Sequence, residues 1–210
     1  MNKHLKFARR SVAVALSAVA VTSGLSACAP LLMGGAAVTS TMVAVDRRSS
    51  GVQLDDQGIE LRASNRLSDQ LGGARARVSV TSYNRRVLLT GEAASEADKA
   101  KAEAIVKGVE NVAMVYNELA ISNSPTFSEK AGDAFLTAKV KTGLLERKEL
   151  SSNSFKVVSE HGTVYLMGRV TQREADMATD VARTTKDVQR VVRVMEILSE
   201  EELLKITGPK

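Results

Sequence analysis

Few side chains of this 210-residue chain have chemistry to offer, and most of them stand alone. Cys28 is the only cysteine, so it has no intrachain partner for a disulfide. Its thiol remains a nucleophile that an acyl donor could modify. His161 is the only histidine after Cys28 and falls between two alternating apolar runs, which suits a hairpin turn better than a general base. No serine sits in a nucleophile-elbow motif, and no Cys/His cluster has zinc-ligand spacing. Asp55-Asp56 and Glu200-Glu201-Glu202 are acidic, but adjacent residues do not converge on one point, so both read as solvated surface. Gly34-Gly35 and Gly72-Gly73 lack the strand–loop–helix context of a phosphate cradle. The reading is therefore a non-enzyme with no cofactor and no metal.

The segment before Cys28 explains that cysteine. Lys3, Lys6, Arg9 and Arg10 form a positive head, and Ser11 to Leu25 is uncharged and rich in Ala and Val. That run is short for a spanning helix, which needs ~20 apolar residues, but it suits the core of a signal peptide. Ser-Val-Ala after Arg9-Arg10 argues against a twin-arginine signal. Leu25-Ser26-Ala27-Cys28 resembles the lipobox of bacterial lipoproteins. The resemblance implies cleavage before Cys28 and acylation of its thiol by chains such as palmitate, each methylene adding about 0.8 kcal/mol of membrane affinity. Ala29, where inner-membrane lipoproteins usually carry Asp, implies sorting to the outer membrane, on its periplasmic face.

Removal of residues 1–27 changes the charge. They hold 4 of the 29 Lys+Arg and none of the 24 Asp+Glu, leaving 25 against 24. A chain so nearly neutral, with no Trp and few other aromatics, offers no case for nucleic acid.

What positions the remaining residues is an internal repeat. At an offset of 77, Ile59, Ala63 and Leu67 match Leu136, Val140 and Leu144; Val87, Leu89 and Gly91 match Val164, Leu166 and Gly168. At an offset of 76, Val112, Val115, Leu119 and Ile121 match Val188, Val191, Met195 and Ile197. The fourfold spacing at each repeat's start predicts a helix with one buried stripe. Val78, Val80, Val87 and Leu89, like Phe155, Val157, Val164 and Leu166, alternate as strands do. Asn84-Arg85 and His161-Gly162 suit hairpin turns. Thr171 with Glu174 reads as a capping box for a second helix, Ser95 with Asp98 as a looser version. A third strand follows, over Val112 to Ile121 and Val188 to Leu198. The fold class is α+β: two αββαβ sandwiches, each with helices on one face of a three-stranded sheet. Gly91 and Gly168 read as structural, where a side chain would crowd the strand exit. The expected organisation is a signal peptide over 1–27, lipidated Cys28 and a tether over 28–55, domains over 56–124 and 125–200, and a tail over 201–210 that is either a short helix or frayed.

Val87-Leu88-Leu89-Thr90-Gly91 and Val164-Tyr165-Leu166-Met167-Gly168, with Val112-Ala113-Met114-Val115-Tyr116-Asn117 and Val188-Gln189-Arg190-Val191-Val192-Arg193, resemble the BON domain of bacterial envelope proteins. The lipobox, tether, Asp46-Arg47-Arg48 and Gln53-Leu54-Asp55-Asp56 extend the likeness to two-BON lipoproteins of the outer membrane. That resemblance implies a role in envelope integrity under stress and in cell division, and binding of anionic phospholipid through the second BON domain.

The residues themselves point to the helix Asp133 to Arg147. With Leu136, Val140 and Leu144 inward, Phe135, Ala138, Thr142 and Leu145 fall on the opposite face at ~100° per residue. A face meeting only water should be polar, yet this one holds a Phe and a Leu. Lys139, Lys141, Arg147 and Lys148 flank it, opposed only by Glu146 among residues 139–148, a local net of +3. An apolar ridge with basic shoulders suits an anionic lipid surface such as phosphatidylglycerol. The alternative is that Phe135 and Leu145 pack against the other repeat or the 122–134 linker. The matching helix of the first repeat has balanced charge and Gly58 in place of Phe135, so its ridge is expected to be missing. A protein–protein adaptor with an unidentified partner is the competing function.

Overall fold

The computed structural model describes residues 46–72, 75–121 and 127–208, with side chains of 127–130 outside the description. The signal segment, Cys28 and most of the tether lie outside the described residues.

The first repeat opens with α1 (Ser50–Leu71), capped by the Ser49 hydroxyl, which accepts the Val52 N–H at 3.3 Å. β1 (Ala76–Tyr83) and β2 (Arg86–Ala93) follow as an antiparallel hairpin. Asn84 and Arg85 turn it with φ of 52° and 61°, the doubly left-handed geometry of a tight hairpin. α2 (Glu96–Lys107) then crosses over, so that β3 (Met114–Asn117) and β4 (Ala120–Ile121) pair with β2 in parallel. The second repeat has the same order: α3 (Phe127–Glu146), β5 (Phe155–Glu160), β6 (Thr163–Thr171), α4 (Gln172–Thr184) and β7 (Arg190–Leu198). Its sheet runs β5-β6-β7, and its hairpin turn at His161-Gly162 has φ of 48° and 70°.

Each repeat closes its own core. α1 delivers Ile59, Ala63 and Leu67 onto Val87 and Leu89; α3 delivers Leu136, Val140 and Leu144 onto Val164 and Leu166. A third cluster joins the repeats. Tyr83, Leu88, Tyr165, Met167 and Val194 come from the sheet faces turned away from the helices and pack together. The alternation of β2 and β6 thus serves two cores, because both faces of each strand are buried.

Two expectations change, and one open alternative is decided. The third strand of the first repeat is broken rather than continuous over 112–121. Asn117 donates its amide to Lys99 O at 2.9 Å and accepts the Leu119 N–H at 3.3 Å, which kinks the chain and drops Leu119 into the core. The sheet therefore counts four strands. The tether expected to reach residue 55 gives way to folded chain at Asp46, and α1 starts at Ser50. The C-terminal stretch is a helix, α5 (Glu200–Thr207), closed by a Ser199–Glu202 capping box.

Gly91 has φ of 108°, and a Cβ there would lie 2.1 Å from the Arg77 carbonyl oxygen. Gly168 has ordinary φ, but a Cβ would lie 2.6 Å from the Ser154 carbonyl oxygen. Both glycines let a neighbouring chain pass at backbone distance.

Candidate lipid-facing helix and the interdomain clasp

α3 carries the residues singled out by their types. Leu136, Val140 and Leu144 are buried, while Phe135 and Leu145 are 64% and 66% exposed. Ala138 and Thr142 between them are exposed too, and the Thr142 hydroxyl is satisfied within the helix, donating to Ala138 O at 3.0 Å. The ridge packs against neither the other repeat nor the described part of the linker. Grooves flank it: one of about 410 Å³ beside Phe135 and Lys139, one of about 260 Å³ beside Lys141 and Leu145.

The charge around the ridge is lower than the local count suggests. Lys139 bonds Asp187 at 2.6 Å and stands 4.6 Å from the centre of the Phe135 ring. That hydrogen bond holds the Asp187 carboxyl below its ordinary range. Arg147 lies 3.7 Å from Asp180. Lys141 and Lys148 are exposed and form no ion pair among the described residues. Asp180 belongs to α4 and Asp187 to the loop after it, so a window on α3 alone could not include them.

The contrast with the first repeat is one of charge more than of shape. The apolar ridge expected to be missing there is present in part: Leu54 and Leu61 on α1 are 69% and 64% exposed. Glu60 of the same helix, however, bonds Lys156 at 2.8 Å and accepts the Ser82 N–H at 2.7 Å, which ties α1 to the second repeat.

Asp56 is a correction. It was expected on solvated surface, yet it is almost fully buried. Its carboxylate accepts the N–H groups of Asn84 and Arg85 at 2.8 and 2.7 Å, the Ser82 hydroxyl at 2.6 Å and Arg48 at 2.8 Å. Asp133, its match at the 77-residue offset, accepts the N–H groups of His161 and Gly162 at 2.8 and 3.0 Å. In both repeats one aspartate of the first helix holds the hairpin turn. The signal was there: the repeat offset that pairs the turns also pairs these aspartates.

Sequence reading also missed the strap before α1. Arg47 is buried and bonds both carboxylate oxygens of Glu174 at 2.7 Å, and the Arg169 carbonyl at 2.9 Å. Glu174 is the capping-box residue of α4, accepting the Thr171 N–H at 2.9 Å. Burial works to raise the Glu174 carboxyl, but the Arg47 bonds and the Thr171 N–H outweigh it and hold it below the ordinary range. Arg48 bonds Asp46 and Asp56 and lies over the Tyr83 ring at 4.0 Å. Burial pushes the Tyr83 phenol up to about 12, with Asp46 adding in the same direction.

Although no metal cluster was expected, Glu92, Glu160 and His161 meet where the repeats face each other, with ligand atoms within 4.8 Å of one another. Among the described residues no helix is long and apolar enough to cross a membrane.

Comparison with known proteins places this architecture. The BON domain model matches residues 55–123 and 132–199. Outer membrane lipoprotein DolP of Haemophilus influenzae is 37% identical over 90% of this chain and 96% of its own. A 21 kDa hemolysin of Actinobacillus pleuropneumoniae is 34% identical over 72% of this chain and 78% of its own. Osmotically-inducible protein Y of Escherichia coli is 28% identical over 87% of this chain and 94% of its own. With two BON matches that coincide with the two αββαβ repeats, the chain belongs to the BON-domain family and is related along nearly its whole length to an outer-membrane lipoprotein.

Proposed function

We propose that this protein is a lipoprotein of the outer membrane, facing the periplasm, that binds anionic phospholipid through α3 of its second BON domain. Acylated Cys28 supplies permanent attachment after removal of residues 1–27. The second contact recognises head groups, with phosphatidylglycerol the favoured lipid, and supports envelope integrity under stress and cell division. Because the anchor already confines the domain to a membrane, a weak second site can still redistribute it along that membrane. No enzymatic step is part of this reading.

The observation that carries it is the exposure of Phe135 and Leu145 on a helix whose Leu136, Val140 and Leu144 are buried. A ring and an isobutyl group facing outward cost solubility unless something covers them. The exposed Lys141 and Lys148 beside them match lipid phosphates.

Vesicle flotation tests it, using the form that lacks residues 1–28. Binding should need phosphatidylglycerol, weaken with salt and vanish in Phe135→Glu. No flotation at high lipid would refute lipid recognition and favour a protein partner on the same ridge.

A further inference from the structure

Glu92 is 4% exposed, one residue from the end of β2 in the first domain. Arg77 holds its Oε2 at 2.9 Å. Among the described residues its Oε1 accepts no hydrogen bond, although it is fully enclosed. An anionic oxygen buried without a partner is costly and asks for one. Beside it stands His161 of the second domain, whose Nε2 lies 3.2 Å away. That nitrogen sits off the line a hydrogen bond needs, so the two atoms lie side by side rather than pointing at each other.

Two ligand atoms of one metal ion stand in this relation. With bonds of about 2.0–2.1 Å, the edge of a zinc tetrahedron is about 3.3 Å. A carboxylate oxygen of Glu160, next to His161 on the same turn, is the third member of the group. His161 is itself held in place, because Asp133 fixes the backbone N–H groups of the turn. Arg77, which lines the same cleft, orients Glu92 through Oε2 and leaves Oε1 for the ion. A cleft of about 600 Å³, walled by residues of both domains that include Glu92 and Glu160, leaves room for water at a fourth position.

We infer that Glu92, Glu160 and His161 bind a divalent transition metal, zinc by the chemistry of one imidazole and two carboxylates, and that the ion clasps the two BON domains together. A hard cation such as calcium or magnesium would take oxygen ligands and gain nothing from the imidazole. Because Glu92 comes from one domain and His161 from the other, binding stabilises their docked arrangement.

The test is titration of the full chain, in non-ionic detergent, with zinc chloride, followed by calorimetry and by thermal unfolding. One zinc ion should bind per chain, raise the melting midpoint, and be removed by chelator with return of the original midpoint. His161→Asn keeps a residue that tolerates the left-handed turn. It should bind zinc at least tenfold more weakly and lose the midpoint shift. Glu160→Gln, on the partly exposed side of the group, should weaken binding in the same direction without unfolding the protein. Zinc binding of equal strength in the wild type and His161→Asn, or no saturable binding by the wild type, would overturn the proposal.

Discussion

Arg47 and Glu174, 127 positions apart, form a two-point ion pair with both bonds at 2.7 Å and both residues buried. The pair fastens the stretch just before α1 to the N-terminus of α4 in the second domain. It also finishes a capping box, since the same carboxylate takes the Thr171 N–H. Asp46 to Ser49 are therefore fixed on the domain that carries the Phe135 ridge.

Breaking that pair from one side should be expensive. Arg47→Ala leaves Glu174 buried without its counter-charge, and a loss on the order of 3 kcal/mol is expected. Replacing both, with Arg47→Met and Glu174→Gln, should recover part of it, because no uncompensated charge remains. Urea unfolding of the two single variants and the double variant measures the coupling.

The same pair sets an acid limit. Glu174 is held below its unfolded value of roughly 4.3, so its contribution is complete above that pH. It is lost as pH falls through the folded value. Glu174→Gln should be less stable at neutral pH and lose less stability between pH 5 and 3. At the other end, Tyr83 is raised from 10.0 to about 12, so its contribution is complete below pH 10 and disappears as pH rises through 12. Burial raises the Tyr165 phenol as well, so absorbance at 295 nm should show both tyrosines, Tyr83 most of all, resisting ionisation until the protein unfolds.

The two turn-holding aspartates should differ in cost. Asp133→Ala frees two N–H groups at a turn near solvent, for a loss of about 1–2 kcal/mol. Asp56→Ala also removes the acceptor of the buried Ser82 hydroxyl and one of the two carboxylates that hold Arg48, leaving it Asp46, and about 3 kcal/mol is expected. Equal losses in thermal or chemical unfolding would show that burial does not separate them.

The glycines should rank by geometry as well. Gly91→Ala meets a carbonyl at 2.1 Å and adopts φ of 108°, so about 3 kcal/mol or more should be lost. Gly168→Ala meets one at 2.6 Å with ordinary φ, and a smaller loss of about 1–3 kcal/mol should follow. Gly168→Val with wild-type melting would remove the structural account of that glycine.

Asp187 offers a gain of function. Asp187→Asn removes the charge that occupies Lys139 but keeps a residue suited to its φ of 76°. Vesicle binding should become severalfold tighter on lipid containing phosphatidylglycerol and stay unchanged on neutral lipid. Stability should scarcely move, as it should in Phe135→Glu, because both side chains are exposed. Unaltered vesicle affinity would mean that Lys139 takes no part in lipid contact.

The sequence by itself determined the repeat, the order αββαβ and the inward faces of the helices, because periodicity and turn residues are local properties. It also singled out Phe135 and Leu145, since their position opposite a buried stripe follows from helix geometry alone. The tertiary structure alone decided what meets across the chain. Asp180 and Asp187 reach Arg147 and Lys139 from other elements, and Glu92 meets His161 across two domains. Asp56 reads as surface in an acidic dipeptide, yet folding drives it under a turn, because two hairpin N–H groups there need an acceptor. Such partners are set by packing between distant segments; only the Asp56 contact leaves a trace in the sequence, in the repeat offset that pairs it with Asp133.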